Sequence, residues 1–409
     1  MEKLRRLIPF TPSKPFVWTL IGVTLLGGIA LRFIAMQFGH NFDFQSYTIV
    51  RDIMLSGGNV YAETARYNYG PVWFSLLGFF GWLATLFNNP EFFRLFIVAV
   101  LTLTDIGIAL LLKKKFGLAA FVVFFLNPVS IVITGYHNQF DNLALLVGLL
   151  GLAIMPDDSV RQFQRRHVYA ALLIGVSLCI KHLFFVLPLW LFIRGATLKI
   201  KLFMAGVPVA VFLLSFVPFW AEGQAGIMQN VFLYKSFANA PLLNIIFSPE
   251  FVRWIHPTVL VVAALAITGI LTRRLPIFDA AMWYLLVLVA FSPAIANQYL
   301  AIAMPAVAGL GVLFFLPFIA LAGLLLVVTS RNGLSIQRFI DNIPPDVVKY
   351  LTENARNGQY RLIILSLFLG MVATAIFLYK THWLLAPIAA VKRFWREQIK
   401  TIKTKEDTS

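Results

Sequence analysis

Five hydrogen-bonding side chains crowd into six positions of the stretch "GYHNQFDNLALLVGLLGLAIM": His137, Asn138, Gln139, Asp141 and Asn142. Apolar runs flank them on both sides. Polar groups in such surroundings are costly unless they find partners or water, and they tend to mark functional sites. A helix start capped by Asn138 or Asp141 accounts for one residue of the five, whereas a polar site accounts for the whole group.

Further along and further back lie other residues able to do chemistry. "HNFDFQSY" places Asp43 between Phe42 and Phe44, just past the end of the first apolar run. A carboxylate held between aromatics at a membrane surface can serve as a general base; its plainer role is to anchor the loop in headgroup water. "RYNYGP" supplies Arg66 and Tyr69. Lys181 and His182 interrupt the apolar run "CIKHLFF" and need water, an anion or a partner, unless they snorkel to the interface. Lys235 and Arg253 stand among aromatics in "FWAEGQAGIMQNVFLYKSFANAPLLNIIFSPEFVRW", and Asn297, Gln298 and Tyr299 follow in "FSPAIANQYLAIAMP". Cations of this kind can neutralise a phosphate, while aromatic and apolar walls can hold a lipid chain or stack on a sugar.

The elements that must position these residues are membrane helices. The chain has 409 residues, 59% hydrophobic and only 13% charged, where a soluble protein carries about a quarter charged residues. Apolar runs of spanning length recur from Phe16 to Leu378, and alternating barrel strands are not seen, so an all-α, polytopic bundle of about 11–12 spans is expected. The formal charge of +16 does not point to nucleic acid, because Lys and Arg gather at the ends of apolar runs. "MEKLRR", "KKK" at Lys113 to Lys115, "RQFQRR" at Arg161 to Arg166, "TRR" at Thr272 to Arg274 and the tail after Lys392 read as cytoplasmic loops. The first apolar run is too long for a cleaved signal peptide, and it reads as a retained helix. The single cysteine, Cys179, excludes an intramolecular disulfide.

With the basic clusters inside, a helix from about Phe16 to Phe38 leads out. An outer loop over 39–91 carries amphipathic helices, Phe92 to Leu112 returns to "KKK", and Phe116 to Thr134 leads out again. The residues from His137 to Asn142 therefore emerge on the outer face. Gly70 to Phe87 is apolar enough to span, but crossing there would place "KKK" outside, so a re-entrant or surface-lying hairpin is expected. Tyr169 to Arg194, broken at Lys181 and His182, reads as two short helices meeting near the outer half. A second outer loop is expected over 221–256. The bundle would occupy 1–330, followed by a polar surface segment at 331–361 and then a last span and basic cytoplasmic tail at 362–409.

Taken together, these motifs resemble polyprenyl-phosphate-dependent glycosyltransferases of the GT-C fold. "YHNQFDNLALLVGLLGLAI" is similar to the signatures that open a helix in that class. "HNFDFQSY…GGNVYAETARYNYGPVW" resembles the first loop of the mannosyltransferases of GPI-anchor assembly, and "SLCIKHLFFVLP" the lysine-bearing hairpin of the glucosyltransferases of N-glycan assembly. "SPAIANQYLAIAMP" is similar to a glutamine–tyrosine–leucine motif before a proline. The resemblance implies an inverting hexosyltransferase, with mannose favoured, that takes sugar from a polyprenyl-phosphate donor to a lipid-linked or glycan acceptor at an extracytoplasmic or lumenal site. That means a bacterial plasma membrane or an endoplasmic reticulum. It assigns the catalytic base to Asp43. Substrate binding would fall to Arg66, Tyr69, His137, Asn138, Gln139, Asp141, Lys181, His182, Lys235, Arg253, Gln298 and Tyr299. Many relatives carry a paired acid where "NFDF" has Asn41, and hard cations want several carboxylate oxygens. Hence no cofactor is expected and a divalent metal is disfavoured. Broken helices and intramembrane charges also suit a transporter or flippase, but matching interrupted segments are not found in the two halves.

Overall fold

The computed structural model describes residues 13–234, 239–329 and 360–379, and these form an all-helical membrane bundle without strands. Lone backbone polar groups are intolerable in hydrocarbon, and helices satisfy them within the segment. Among the described residues four helices are long and apolar enough to cross a membrane: Lys14–Gln37, Glu91–Phe116, Leu198–Phe232 and Tyr360–Tyr379. A pair of helices, Leu118–Phe125 and Pro128–His137, bent by 45°, is long and apolar enough when taken together. The other apolar helices are shorter, so the expected 11–12 spans are met by full-length helices only in part. The polar segment expected at 331–361 lies almost wholly outside the described residues, as does the basic tail.

The bend follows from local sequence. Asn127 accepts a hydrogen bond from the Val129 amide at 2.8 Å, and Pro128 takes the first helical position, where its missing N–H costs nothing. The second arm ends in a π-helical turn, Ile133–His137, closed by Asn138 in the left-handed region at φ 57°. Asparagine tolerates that conformation better than most residues. Gly135 is needed here for a different reason: a Cβ would collide with the Arg32 carbonyl on the first helix.

Between the first helix and Glu91–Phe116 lie Asp43–Leu55, Val60–Glu63 and Pro71–Leu86. The hairpin expected at Gly70 to Phe87 is instead one uninterrupted helix. Its two internal glycines do not break it; Gly78 and Gly81 receive the side chains of Met54 and Arg51 and so let Asp43–Leu55 pack closely. Its 16 residues measure about 24 Å against a hydrocarbon core of about 30 Å.

This helix does not carry the chain across. Arg94, in the first turn of Glu91–Phe116, bonds the Gly39 carbonyl at the end of the first helix. At the opposite end, the Lys113 ammonium lies 5.4 Å from the Trp18 ring. Segment 39–91 thus leaves and returns at one end of the bundle.

The basic clusters among the described residues share the other end. The Lys115 ammonium sits 5.1 Å from the Phe278 ring, and that of Lys199 lies 5.2 Å from Phe163. Arg194 pairs with Asp158 and binds the Thr272 and Leu275 carbonyls, tying the loop after Asp141–Ile154 to the turn at 272–275.

The segment expected as an outer loop from 221 is helical as far as Phe232: the helix Leu198–Leu214 is followed, after a turn at 215–216, by the 3-10 turn Val217–Phe219, the helix Trp220–Gly226 and a π-helical stretch Ile227–Phe232. This stretch rests on the first loop, where the Asn59 amide donates to the Phe219 carbonyl at 3.1 Å.

Candidate active site

Asp43 opens the helix Asp43–Leu55 and is half-buried. Its Oδ2 accepts from Gln139 Nε2 at 2.5 Å and from Asn41 Nδ2 at 2.9 Å. Two expected motifs 96 residues apart therefore meet at one carboxylate oxygen. Asn41, which stands where a paired acid might have been, acts as a donor that steadies the remaining acid. Both amides take the same oxygen, and among the described residues Oδ1 receives no hydrogen bond. Arg66 comes in beside this group, its guanidinium 4.1 Å above the Phe42 ring, with one terminal nitrogen buried and without a hydrogen-bond partner among the described residues.

One residue on from Gln139, the Phe140 ring is gripped by aromatics. Trp73 stacks on it at 4.5 Å, and Tyr69 and Tyr47 meet it edge-on at 4.9 and 6.2 Å. This fixes the backbone between Gln139 and Asp141. Burial, with the charges of Asp141, Asp43 and Tyr234 nearby, pushes the Tyr69 phenol well above its ordinary range, so it stays neutral at any working pH.

Asp141 and Lys181 are both buried and form an ion pair of 2.8 Å. The lysine ammonium also stands 4.9 Å from the Tyr69 ring and 5.1 Å from that of Phe140. Its position results from the break expected in this segment. The helix Arg165–Ile180 ends, Lys181 is extended, and the turn His182–Phe184 leads into Leu187–Arg194. Lys181 therefore reaches the site from a chain break and already has a counter-ion. Tyr299, at the start of the turn Tyr299–Ile302, lies within electrostatic range of Lys181, Tyr69 and Asp141. Gln298 precedes it, half-buried.

Not every expected residue joins this cluster. Asn138 closes the π-turn, donating to the carbonyls of Thr134 and Gly135, and caps nothing in the helix that follows. His137 is buried with Nε2 unpaired among the described residues, and His182 keeps a buried, unpaired Nδ1. Lys235 lies outside the described residues. Arg253 falls in the helix Pro249–Trp254, and its side chain is outside them too.

The structure adds three charged residues that the motif reading passed over: Arg32, Asp105 and Arg94. Asp105 accepts from Arg32 Nε at 2.9 Å, Thr134 Oγ1 at 2.7 Å, Ser130 Oγ at 3.2 Å and Asn142 Nδ2 at 2.6 Å. Arg32 also donates to the carbonyls of Gly28 and Phe125. This closed network joins the first helix, Glu91–Phe116 and the bent span directly behind Asp141. The signal was present, since "IALRFIA" and "LTLTDIG" each hold a single charge in an apolar run.

The fold is that of an all-helical, polytopic membrane bundle. Among solved structures, the chain is similar to ArnT from Cupriavidus metallidurans in the apo state, with a TM-score of 0.50 at 17% identity over 88% of this chain and 76% of that one. The same protein bound to undecaprenyl phosphate gives 0.46 and 14% over the same shares. Likeness at this level is one of fold. A scan against models of protein families found no match, and a search of curated proteins found none either.

Proposed function

We propose that this chain is an integral membrane glycosyltransferase. It moves a hexose, mannose by preference, from a polyprenyl-phosphate donor to a lipid-linked or glycan acceptor with inversion, at an extracytoplasmic or lumenal site. The observation that carries the reading is the carboxylate of Asp43, held through one oxygen by Gln139 and Asn41 and open at the other. An acid so placed can take the proton of an acceptor hydroxyl as that oxygen attacks the sugar C1 and the phosphate leaves on its lipid. Lys181 and Arg66 are the cations at hand for the leaving phosphate, and Tyr69 and Tyr299 offer aromatic faces to the sugar. The test is transfer of radiolabelled sugar from synthetic polyprenyl-phosphate donors to a panel of lipid-linked acceptors by the purified protein. Donor-stimulated transport with no covalent product would favour a flippase instead.

The site's face is tested by labelling. With Cys179 replaced by alanine, cysteines at Phe42 and Tyr234 should react with an impermeant thiol reagent from outside intact cells or lumenal-side-out vesicles, and cysteines at Lys114 and Arg165 should not. All four positions are exposed. The reverse pattern would move the site to the cytoplasmic face.

A role for Lys181 in donor binding needs a particular variant. Lys181→Ala alone strands Asp141 as a buried, unpaired charge and confounds binding with folding. The double variant Lys181→Met with Asp141→Asn removes both charges. Its donor affinity should fall about tenfold or more, the worth of a charge-assisted contact of roughly 1.5–3 kcal/mol. Unchanged affinity would leave the pair as a structural clasp.

A further inference from the structure

Asp43 and Gln139 belong to segments delivered by different helices. Among the described residues, their own contact is the one hydrogen bond that joins 39–43 directly to 135–142. Gln139 is buried and the bond to Asp43 is 2.5 Å long, and a residue touching both segments lies behind it. Arg94 stands in that place. It is buried, and its Nε donates to Asn138 Oδ1 at 3.1 Å, immediately before Gln139. One terminal nitrogen donates to the Gly39 carbonyl, four residues before Asp43, and reaches the Gly135 carbonyl at 3.4 Å. The guanidinium also lies 5.8 Å from the ring of Phe44, the neighbour of Asp43.

The shape of these bonds is informative. Among the described residues no carboxylate lies within ion-pair distance of Arg94, and the hydrogen bonds of its Nε and of one terminal nitrogen go to neutral oxygens of the two segments. A planar guanidinium with several donors in a fixed fork can bridge two chain segments in a way that a lysine cannot. Asn138, held left-handed and bonded to the Thr134 and Gly135 carbonyls, gives the fork a rigid seat on one side. The helix Glu91–Phe116 gives it a rigid base.

We infer that Arg94 is a positioning residue that sets the separation of the segments carrying Asp43 and Gln139, and so the orientation of the catalytic carboxylate. The inference rests on the glycosyltransferase reading for its kinetic consequences, but its geometric content does not.

Two measurements test it. The first is a double-mutant cycle on transfer, with rates taken per folded enzyme. Arg94→Met should lower kcat about tenfold, the order expected for bonds to a charged group, with the donor KM little changed. Arg94→Lys should restore part of the rate. In a Gln139→Ala background, Arg94→Met should cost less than about twofold further, because residues acting through one another are non-additive. Equal losses in both backgrounds would overturn the assignment. So would a rise in donor KM with kcat intact, which would make Arg94 a donor contact.

The second measurement needs no activity. In a Cys179→Ala chain carrying Asn41→Cys and Gln139→Cys, a short bifunctional thiol reagent should cross-link the pair. Arg94→Met should slow that reaction about tenfold. An unchanged rate would overturn the inference even in an active enzyme. Absence of transfer by the unmodified protein would instead count against the glycosyltransferase reading and leave the cross-linking result to judge Arg94.

Discussion

If the proposed transfer runs through Asp43, Asp43→Asn should lower its rate by roughly 100- to 10,000-fold, the span expected for loss of a general base, while folding and donor affinity stay near normal. The structure explains why this substitution is a clean probe. Gln139 and Asn41 both donate to Oδ2, and the carbonyl oxygen of an asparagine can take the same two bonds. What is lost is the open acceptor at Oδ1, which becomes an amide donor and can no longer receive a proton. The check is a comparison of single-turnover transfer rates for the two purified forms, after their thermal midpoints and donor affinities have been matched. Near-normal transfer by the asparagine form would remove Asp43 from the chemistry and turn attention to Asp141, the other carboxylate at the site.

Arg32→Met should destabilise the protein by about 3–5 kcal/mol, the usual cost of leaving one member of a buried ion pair without the other. Both side chains are fully buried, and their contact is 2.8 Å. The companion variant, Arg32→Met with Asp105→Leu, should recover most of that loss, since apolar pairs of similar volume often replace buried ion pairs at little net cost. Recovery should be incomplete, because Ser130, Thr134 and Asn142 lose their shared acceptor. Denaturant or thermal midpoints in one detergent would decide the matter. A single variant as stable as the parent would show that water or lipid reaches Asp105. A double variant no better than the single one would mean that the hydroxyl and amide bonds, and not the charge, hold this junction.

The two predictions probe different layers of one arrangement. Asp43 is where a proton would go. Arg32 and Asp105 hold together the three helices against which the segment from His137 to Asn142 is seated, and Asn142 binds Asp105 directly. Loss of the inner pair should therefore reduce transfer as well as stability, with the reduction following the fraction folded.

Much about this chain was determined by its sequence alone. A composition this apolar leaves helices as the way to satisfy the backbone, and the lysines and arginines at the ends of apolar runs assign those ends to one side. The break at Lys181 was legible too, because a charge and an imidazole in an apolar run interrupt it visibly. What only the tertiary structure decided is who pairs with whom. Spacing along a helix says that a lone charge needs a partner but not which way its face turns, and that angle is set by packing against neighbouring helices. Hence Lys181, readable as a free cation, is already matched by Asp141, whereas Arg32 and Asp105, each isolated in its own run, cancel one another across 73 residues. The meeting of Asp43 with Gln139 has the same origin. Each lies just beyond a span end, so the sequence places both at one edge of the bundle, but their contact depends on how the first helix and the bent span are packed, on Gly135 admitting the Arg32 carbonyl and on Arg94 bridging Gly39 and Asn138.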